Sequence, residues 1–127
     1  MLMVEPFDEW NTPKCENGFH RYFADYSERM VRDMVRHFRN HPSVILWGIG
    51  NEVPNQRDVD GWKLVERLQK YCHEEDSTRQ VTVCMDQIPC VLANGFAKDV
   101  DIPGINYNTW NYAKAKNVWR QGIILGS

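Results

Sequence analysis

The chain is 127 residues long, 43% hydrophobic and 25% charged, with a formal net charge of −2. Length and composition are those of one ordinary globular domain, and a charge so near zero offers no field for nucleic acid or an anionic membrane surface. No window is apolar over a spanning length, and the start, "MLMVEPFDEW", lacks a basic region and soon reaches Glu5, so it does not read as a signal peptide.

Residues 1–5 read as a short strand that runs into a polar loop, "PFDEWNTPKCENG". From Phe19 to Arg39 the pattern is helical. Phe19, Tyr22, Phe23, Tyr26, Met30, Met34 and Phe38 recur at steps of three and four, and Arg21, Glu28, Arg29, Arg32, Asp33 and Arg36 form a solvated face. Pro42 stops the helix, because proline disfavours helical backbone at the residue before it. Val44–Ile49 follows without alternation, the mark of a strand buried on both faces in a parallel sheet. A second helix is expected from Asp58 or Val59 to Glu75, with Trp62, Val65, Leu68 and Cys72 inward. "QVTVCM", Gln80–Met85, is short and β-branched, hence a strand. "PCVLANGF" is a short helix or an irregular turn, and "DIPGINY", Asp101–Tyr107, is the next strand. Trp110–Trp119 forms a helix with Lys114 and Lys116 outside, and "GIILGS" closes the series as a strand.

Strict alternation of strands and helices argues an α/β fold with a parallel sheet. A doubly wound sheet and an eightfold barrel both fit. The doubly wound form needs a glycine-rich turn after its first strand; "GIGNEV" is the only candidate and has Val53 where the third glycine belongs. The barrel displays its reactive groups at the C-terminal ends of its strands. Asn51 and Glu52 stand there, a carboxylate closing an apolar strand and costly to desolvate without a purpose.

Other chemistry finds little support. Cys15, Cys72, Cys84 and Cys90 show no metal-ligand spacing, and reduced, mostly buried thiols are preferred to a disulfide framework. His37 and His41 are four apart, but the glutamate of a zinc-binding helix is missing and Pro42 distorts the helix end, so a structural role is favoured. His20 and His73 show no partner, and no serine sits in a nucleophile elbow. No cofactor or metal is implied. The surplus of aromatic residues suits sugar stacking or a plain core.

"RNHPSVILWGIGNEVP" resembles the acid/base segment of glycoside hydrolase family 2, the β-galactosidase and β-glucuronidase family. "VEPFDEW" is similar to the family's E-x-F-D-x-W strand end. "MVRHFRNHPS" is similar to its M-V-x-R-D-R-N-H-P-S, with His37 and Phe38 where Arg and Asp are usual. "DSTRQVTV" resembles D-x-T-R-P-V-T, with Gln80 in place of proline, and "DVDIPGINY" resembles D-(V)-x-G-x-N-Y. The resemblance covers nearly the whole chain in order. It implies an incomplete (β/α)8 barrel, roughly strands three to seven with their helices, from a retaining β-glycosidase most like bacterial β-galactosidases. A different sugar, such as a β-glucuronide or β-mannoside, is an alternative within the family. A carbohydrate-binding or assembly module without catalysis is the alternative from another class.

By this resemblance Glu52 is the catalytic acid/base, and Asn51 hydrogen-bonds the sugar 2-hydroxyl. Tyr107 matches the tyrosine that bonds the nucleophile, although Asn106 competes for the inward slot. Asp8 and Trp10 lie where the family binds sugar hydroxyls or stacks on the ring. Trp110 is a stacking platform or a helix cap, and Trp47 is a barrel-packing residue. The family's nucleophile is the glutamate after G-S, one position past Ser127; Asp86 is a possible substitute two strands earlier. The implied partner is a β-galactoside or related glycan, and open strand edges invite homo-oligomers.

Overall fold

The computed structural model describes residues 1–127. Five strands, β1 (Leu2–Val4), β2 (Val44–Asn51), β3 (Gln80–Met85), β4 (Ile102–Ile105) and β5 (Leu125–Gly126), form one sheet in the order 1-2-3-4-5. Every pair is parallel. Each crossover carries a helix: α1 (Phe23–Phe38), α2 (Gly61–Glu75), α3 (Ile88–Asn94) and α4 (Tyr112–Val118). A doubly wound sheet reverses its strand order at a switch point. Here spatial order follows chain order throughout, as in a barrel, and the five strands make an open half-barrel.

The two faces of the sheet differ. Trp47, Ile49, Val81, Val83, Met85 and Ile105 join Val31, Val35, Val65, Leu68 and Cys72 of the helices in one apolar cluster. The alternating positions Leu46, Gly48, Thr82, Cys84 and Gly104 lie on the inner face. Trp47 is fully buried among the helices and donates from Nε1 to Asp76, 3.2 Å away. Asp76 also accepts from Thr78 and from Arg79, whose Nε reaches the Val44 carbonyl at 2.7 Å. The "DSTR" segment is therefore a brace between the end of α2 and the start of β2. Burial opposes the Asp76 charge, but these donors hold its pKa at about 2.

Several elements differ from the sequence reading. The helix expected from Phe19 begins as a 3-10 turn, Phe19–Arg21, and its buried stripe is Phe23, Ser27, Val31, Met34 and Val35. Tyr22, Tyr26 and Met30 face solvent, because the β-branched pair Val31 and Val35 sets the stripe against the sheet and rotates the tyrosines onto the flank. The arginines are not simply solvated. Arg32 bonds Glu28, Glu74 and Glu75, and Arg36 bonds Glu75, which clamps α1 to α2. Trp62 stays outside the core, half-buried with the Lys98 ammonium 3.5 Å from its ring centroid. Both histidines read as unpartnered have partners: His20 Nδ1 lies 3.1 Å from Glu9, and His73 Nε2 lies 2.7 Å from Asp101. All four cysteines are free; Cys72 and Cys84 are buried, Cys15 and Cys90 exposed.

Candidate active site

The end of β2 departs from a regular strand in two ways. Gly48 pairs with Thr82, but the next partners are Asn51 and Cys84, so β2 carries one extra residue. This bulge brings Asn51, rather than Gly50, onto the inner face. Glu52 then adopts φ 49°, while its N–H still reaches the Cys84 carbonyl at 2.8 Å. Left-handed backbone is uncommon for a glutamate and gathers at functional positions. The flanking glycines are steric. A Cβ at Gly48 would sit 2.8 Å from Glu5 Oε2, and one at Gly50 would sit 2.9 Å from Trp10 Nε1. "GIG" thus admits a carboxyl on one side and an indole on the other, which is not the geometry of a phosphate-binding turn.

Asn106 links the ends of the strands. Its Nδ2 donates to Glu52 Oε1 at 2.8 Å and to Asn51 Oδ1 at 2.9 Å, and its Oδ1 accepts from Ser127 Oγ at 2.6 Å. An amide so bound has one workable orientation. Asn51 Nδ2 in turn lies 3.3 Å from Asp8 Oδ1. Lys14 Nζ donates to the same Asp8 oxygen at 2.9 Å and to the Asn51 carbonyl at 3.0 Å. One polar network therefore spans the C-terminal ends of β1, β2, β4 and β5.

Of the candidate residues, Glu52, Asn51 and Asp8 come together. Tyr107 takes φ 60°, is 71% exposed and points away, while Asn106 fills the inward slot. Trp110 stands 74% exposed in the 3-10 turn Thr109–Asn111 that follows β4. Trp10 is fully buried, stacks on Phe96 at 5.8 Å and donates to the Ile49 carbonyl at 2.8 Å, so it presents no ring to a ligand. Lys14 was missed because nothing in its local sequence marks it. Asp86 is held by Gln56 Nε2 at 2.8 Å beside the turn after Glu52.

Glu5 lies beneath this network. Burial raises its pKa to about 7, with Asp8 adding to the rise and Lys14 opposing it. The Cys84 thiol is also pushed up by burial despite the Ser127 hydroxyl beside it, so it is no ready nucleophile. No three His, Cys, Asp or Glu side chains gather as a metal site. The largest hollow, about 570 Å³, lies at the opposite ends of the strands among Ile45, Leu46, Ile102, Ile123 and Leu125. It is the apolar inner wall of the open barrel and holds no carboxylate. The carboxylates and amides gather instead at the other ends of the strands.

Residues 5–120 match the family described as glycosyl hydrolases family 2, TIM barrel domain. Beta-galactosidase BoGH2A of Bacteroides ovatus is 45% identical over 56 residues, 44% of this chain and 7% of that protein. A putative beta-glucuronidase of Formosa agariphila is 26% identical over 106 residues, 84% of this chain and 9% of that protein. Among solved structures, a glycosyl hydrolase family 2 member from Bacteroides cellulosilyticus has a TM-score of 0.82 at 30% identity, covering 91% of this chain and 15% of its own. Bacteroides uniformis beta-glucuronidase is also similar, with a TM-score of 0.64 at 30% identity, covering 82% of this chain and 13% of its own. The chain spans between 7% and 15% of the length of these relatives.

Proposed function

The chain belongs to glycosyl hydrolase family 2, and on that premise we propose that it supplies the acid/base half of a retaining β-glycosidase site, acting on β-galactosides. The observation that carries this reading is the Asn106 amide, which joins Glu52 at the end of β2 to Ser127 at the end of β5. Retaining enzymes need two carboxyls about 5–5.5 Å apart. The resemblance expects the second one directly after Ser127, and such a residue would start one amide away from Glu52.

Asn106 occupies Glu52 Oε1, which leaves Oε2 to carry the acid proton. In the first step Glu52 gives that proton to the glycosidic oxygen while the second carboxylate bonds to the anomeric carbon and the leaving group departs. In the second step Glu52 takes a proton from water as that water's oxygen replaces the carboxylate. Asn51 has its carbonyl oxygen held by Asn106 and one amide hydrogen directed at Asp8, so the other hydrogen is free for the sugar 2-hydroxyl. Asp8 serves a further hydroxyl and Trp110 offers a stacking face. Tyr107 reaches the nucleophile only if its side chain turns inward from its exposed position. The galactoside reading draws on the identity with BoGH2A.

The test is Glu52→Gln in the full-length polypeptide that carries these residues, assayed on β-galactosides of graded leaving-group acidity. Substrates with poor leaving groups should lose about 10²- to 10⁴-fold in kcat, and dinitrophenyl galactoside far less. An equal loss across the series would remove Glu52 from the acid role. Turnover of β-glucuronides but not β-galactosides in the wild type would correct the sugar.

A further inference from the structure

A second polar feature adjoins Glu52. It meets the network of Asn51, Asn106 and Asp8 only through Glu52 itself and through Asn108 Nδ2, which donates to the Asp86 carbonyl at 3.1 Å and to the Asn106 carbonyl at 2.7 Å. The turn after Glu52 and the end of β3 enclose a cleft of about 140 Å³ lined by Glu52, Pro54, Gln56, Arg57, Asp86 and Gln87. Its floor is built around Gln56, which is 1% exposed. Gln56 Oε1 accepts the backbone N–H groups of Asp86 and Gln87, both at 3.0 Å. Its Nε2 donates to the Val53 carbonyl at 3.0 Å and to Asp86 Oδ1 at 2.8 Å. Every hydrogen-bonding group of that amide is used, so the shelf is rigid.

The groups above the shelf are only partly used. Gln87 Nε2 donates to Asp86 Oδ2 at 2.6 Å, and Gln87 Oε1 accepts from Arg57 Nη2 at 3.1 Å. A neutral amide thus stands between a carboxylate and a guanidinium that make no ion pair with each other. Asp86 keeps spare lone pairs, and Arg57, which is exposed, keeps spare N–H donors. A hydroxyl can donate to the first and accept from the second, and the two charges cancel for a neutral ligand. An anion would meet Asp86, and an aromatic ring would find no apolar side chain to stack on but Pro54.

Resting on the family 2 reading, we propose that this cleft is the leaving-group subsite and selects a neutral hydroxylated leaving group, a second sugar ring, through Asp86 and Arg57. The acid/base must lie between the two rings, because it protonates the oxygen that joins them. Glu52 meets this requirement: it lines the cleft over the Gln56 shelf, and Asn106 ties it to the sugar-binding candidates Asn51 and, through Asn51, Asp8. The volume suits the hydroxylated edge of one ring rather than a longer chain.

The experiment uses the full-length polypeptide, comparing lactose with 4-nitrophenyl β-galactoside for the wild type, Asp86→Asn and Arg57→Met. Each variant should lose about 10- to 100-fold in kcat/KM on lactose, the worth of a hydrogen bond to a charged group, and less than about threefold on the nitrophenyl substrate. Free glucose should inhibit the wild type more strongly than either variant. Equal losses on both substrates would show the cleft to be only a loop brace, and unchanged lactose turnover would overturn the subsite directly; both leave the glycosidase reading standing. A wild type that hydrolyses neither substrate overturns the β-galactosidase reading together with the subsite. Arg57 bears no buried contact, so its variant decides the matter if Asp86→Asn fails to fold.

Discussion

Glu5 and Glu9 lie four positions apart in the same segment, both withdrawn from water, yet their carboxyls behave in opposite ways. Glu9, 4% exposed, accepts the backbone N–H groups of Lys14 at 2.6 Å, Cys15 at 3.4 Å and His20 at 2.8 Å, besides facing His20 Nδ1. Burial would raise its pKa, but these donors lower it to about 2. Glu5 has no such cradle. Its Oε2 is buried without a partner on the inner face, and its pKa is raised to about 7. Burial alone therefore does not fix the charge of a carboxyl; the donors that replace water do. The consequence is a division of labour. Glu9 ties down the loop that holds Asp8 and Lys14 over the candidate site, and Glu5 sits below it as a carboxyl that keeps its proton up to about pH 7. Each has a glycine against it, Gly18 for Glu9 and Gly48 for Glu5, because a Cβ at either position would meet the carboxyl.

The largest effect should come from breaking the cradle. Glu9→Ala leaves three loop N–H groups without their acceptor and should cost about 3–5 kcal/mol in denaturant unfolding. The contribution has a pH signature. The folded pKa lies below the unfolded value near 4.5, so it is fully present above pH 4.5 and is lost as pH falls toward 2. Gly48→Ala comes next. The new methyl would stand 2.8 Å from Glu5 Oε2 and 2.9 Å from Glu5 Cβ, and the overpacking should cost about 1–3 kcal/mol. Adding Glu5→Ala should restore most of it. A double variant no more stable than Gly48→Ala alone would show that the strain lies elsewhere.

These two carboxyls mark where the sequence is legible and where it is not. β3 is visible in its β-branched run and matches the expected Gln80–Met85, because strand propensity and burial agree there. β2 extends two residues past the expected Ile49, to Asn51, since no propensity signals a bulge. In α1 the steps through Tyr22, Tyr26 and Met30 satisfy a helical period, but so do those through Phe23, Ser27 and Val31, and only the tertiary contact selects between them. The resemblance placed Glu52 and Asn51 at a strand end. The hub, Asn106, was visible only as a rival of Tyr107, because the left-handed backbone at Tyr107 decides which of the two turns inward. Glu9 gave no sign at all, since its partners are backbone groups of a loop without periodicity.

Glu5→Gln sharpens the comparison from the other side and should stabilise rather than destabilise. The folded pKa near 7 lies above the unfolded value near 4.5, so the folded state holds the proton longer. Stability is highest below pH 4.5, falls as pH rises to about 7, and stays reduced above that. The amide cannot ionise. The variant should match the wild type at pH 4 and exceed it at pH 8 by about 1–2 kcal/mol, a figure that allows for the partial exposure of Glu5. A variant equally destabilised at both values would mean that Glu5 makes a specific contact as a carboxylate.

The smallest effect is expected one strand away. Thr82 pairs with Gly48 across β2 and β3, is fully buried, and its Oγ1 has no hydrogen-bond partner. Two unpartnered oxygens, Thr82 Oγ1 and Glu5 Oε2, thus flank the same glycine on the inner face. A buried threonine ordinarily loses stability on replacement by valine, because a hydrogen bond goes with the hydroxyl. Here the hydroxyl makes none, and its removal relieves a desolvated group. Thr82→Val should be neutral or stabilising by up to about 1 kcal/mol in thermal or denaturant unfolding. A loss above about 1 kcal/mol would mean that the hydroxyl bonds to something, and the nearest candidate is the Glu5 acid or a water between them. Repeating the substitution in Glu5→Gln separates the cases: a loss that shrinks in that background couples Thr82 to Glu5, and one that persists places the partner elsewhere.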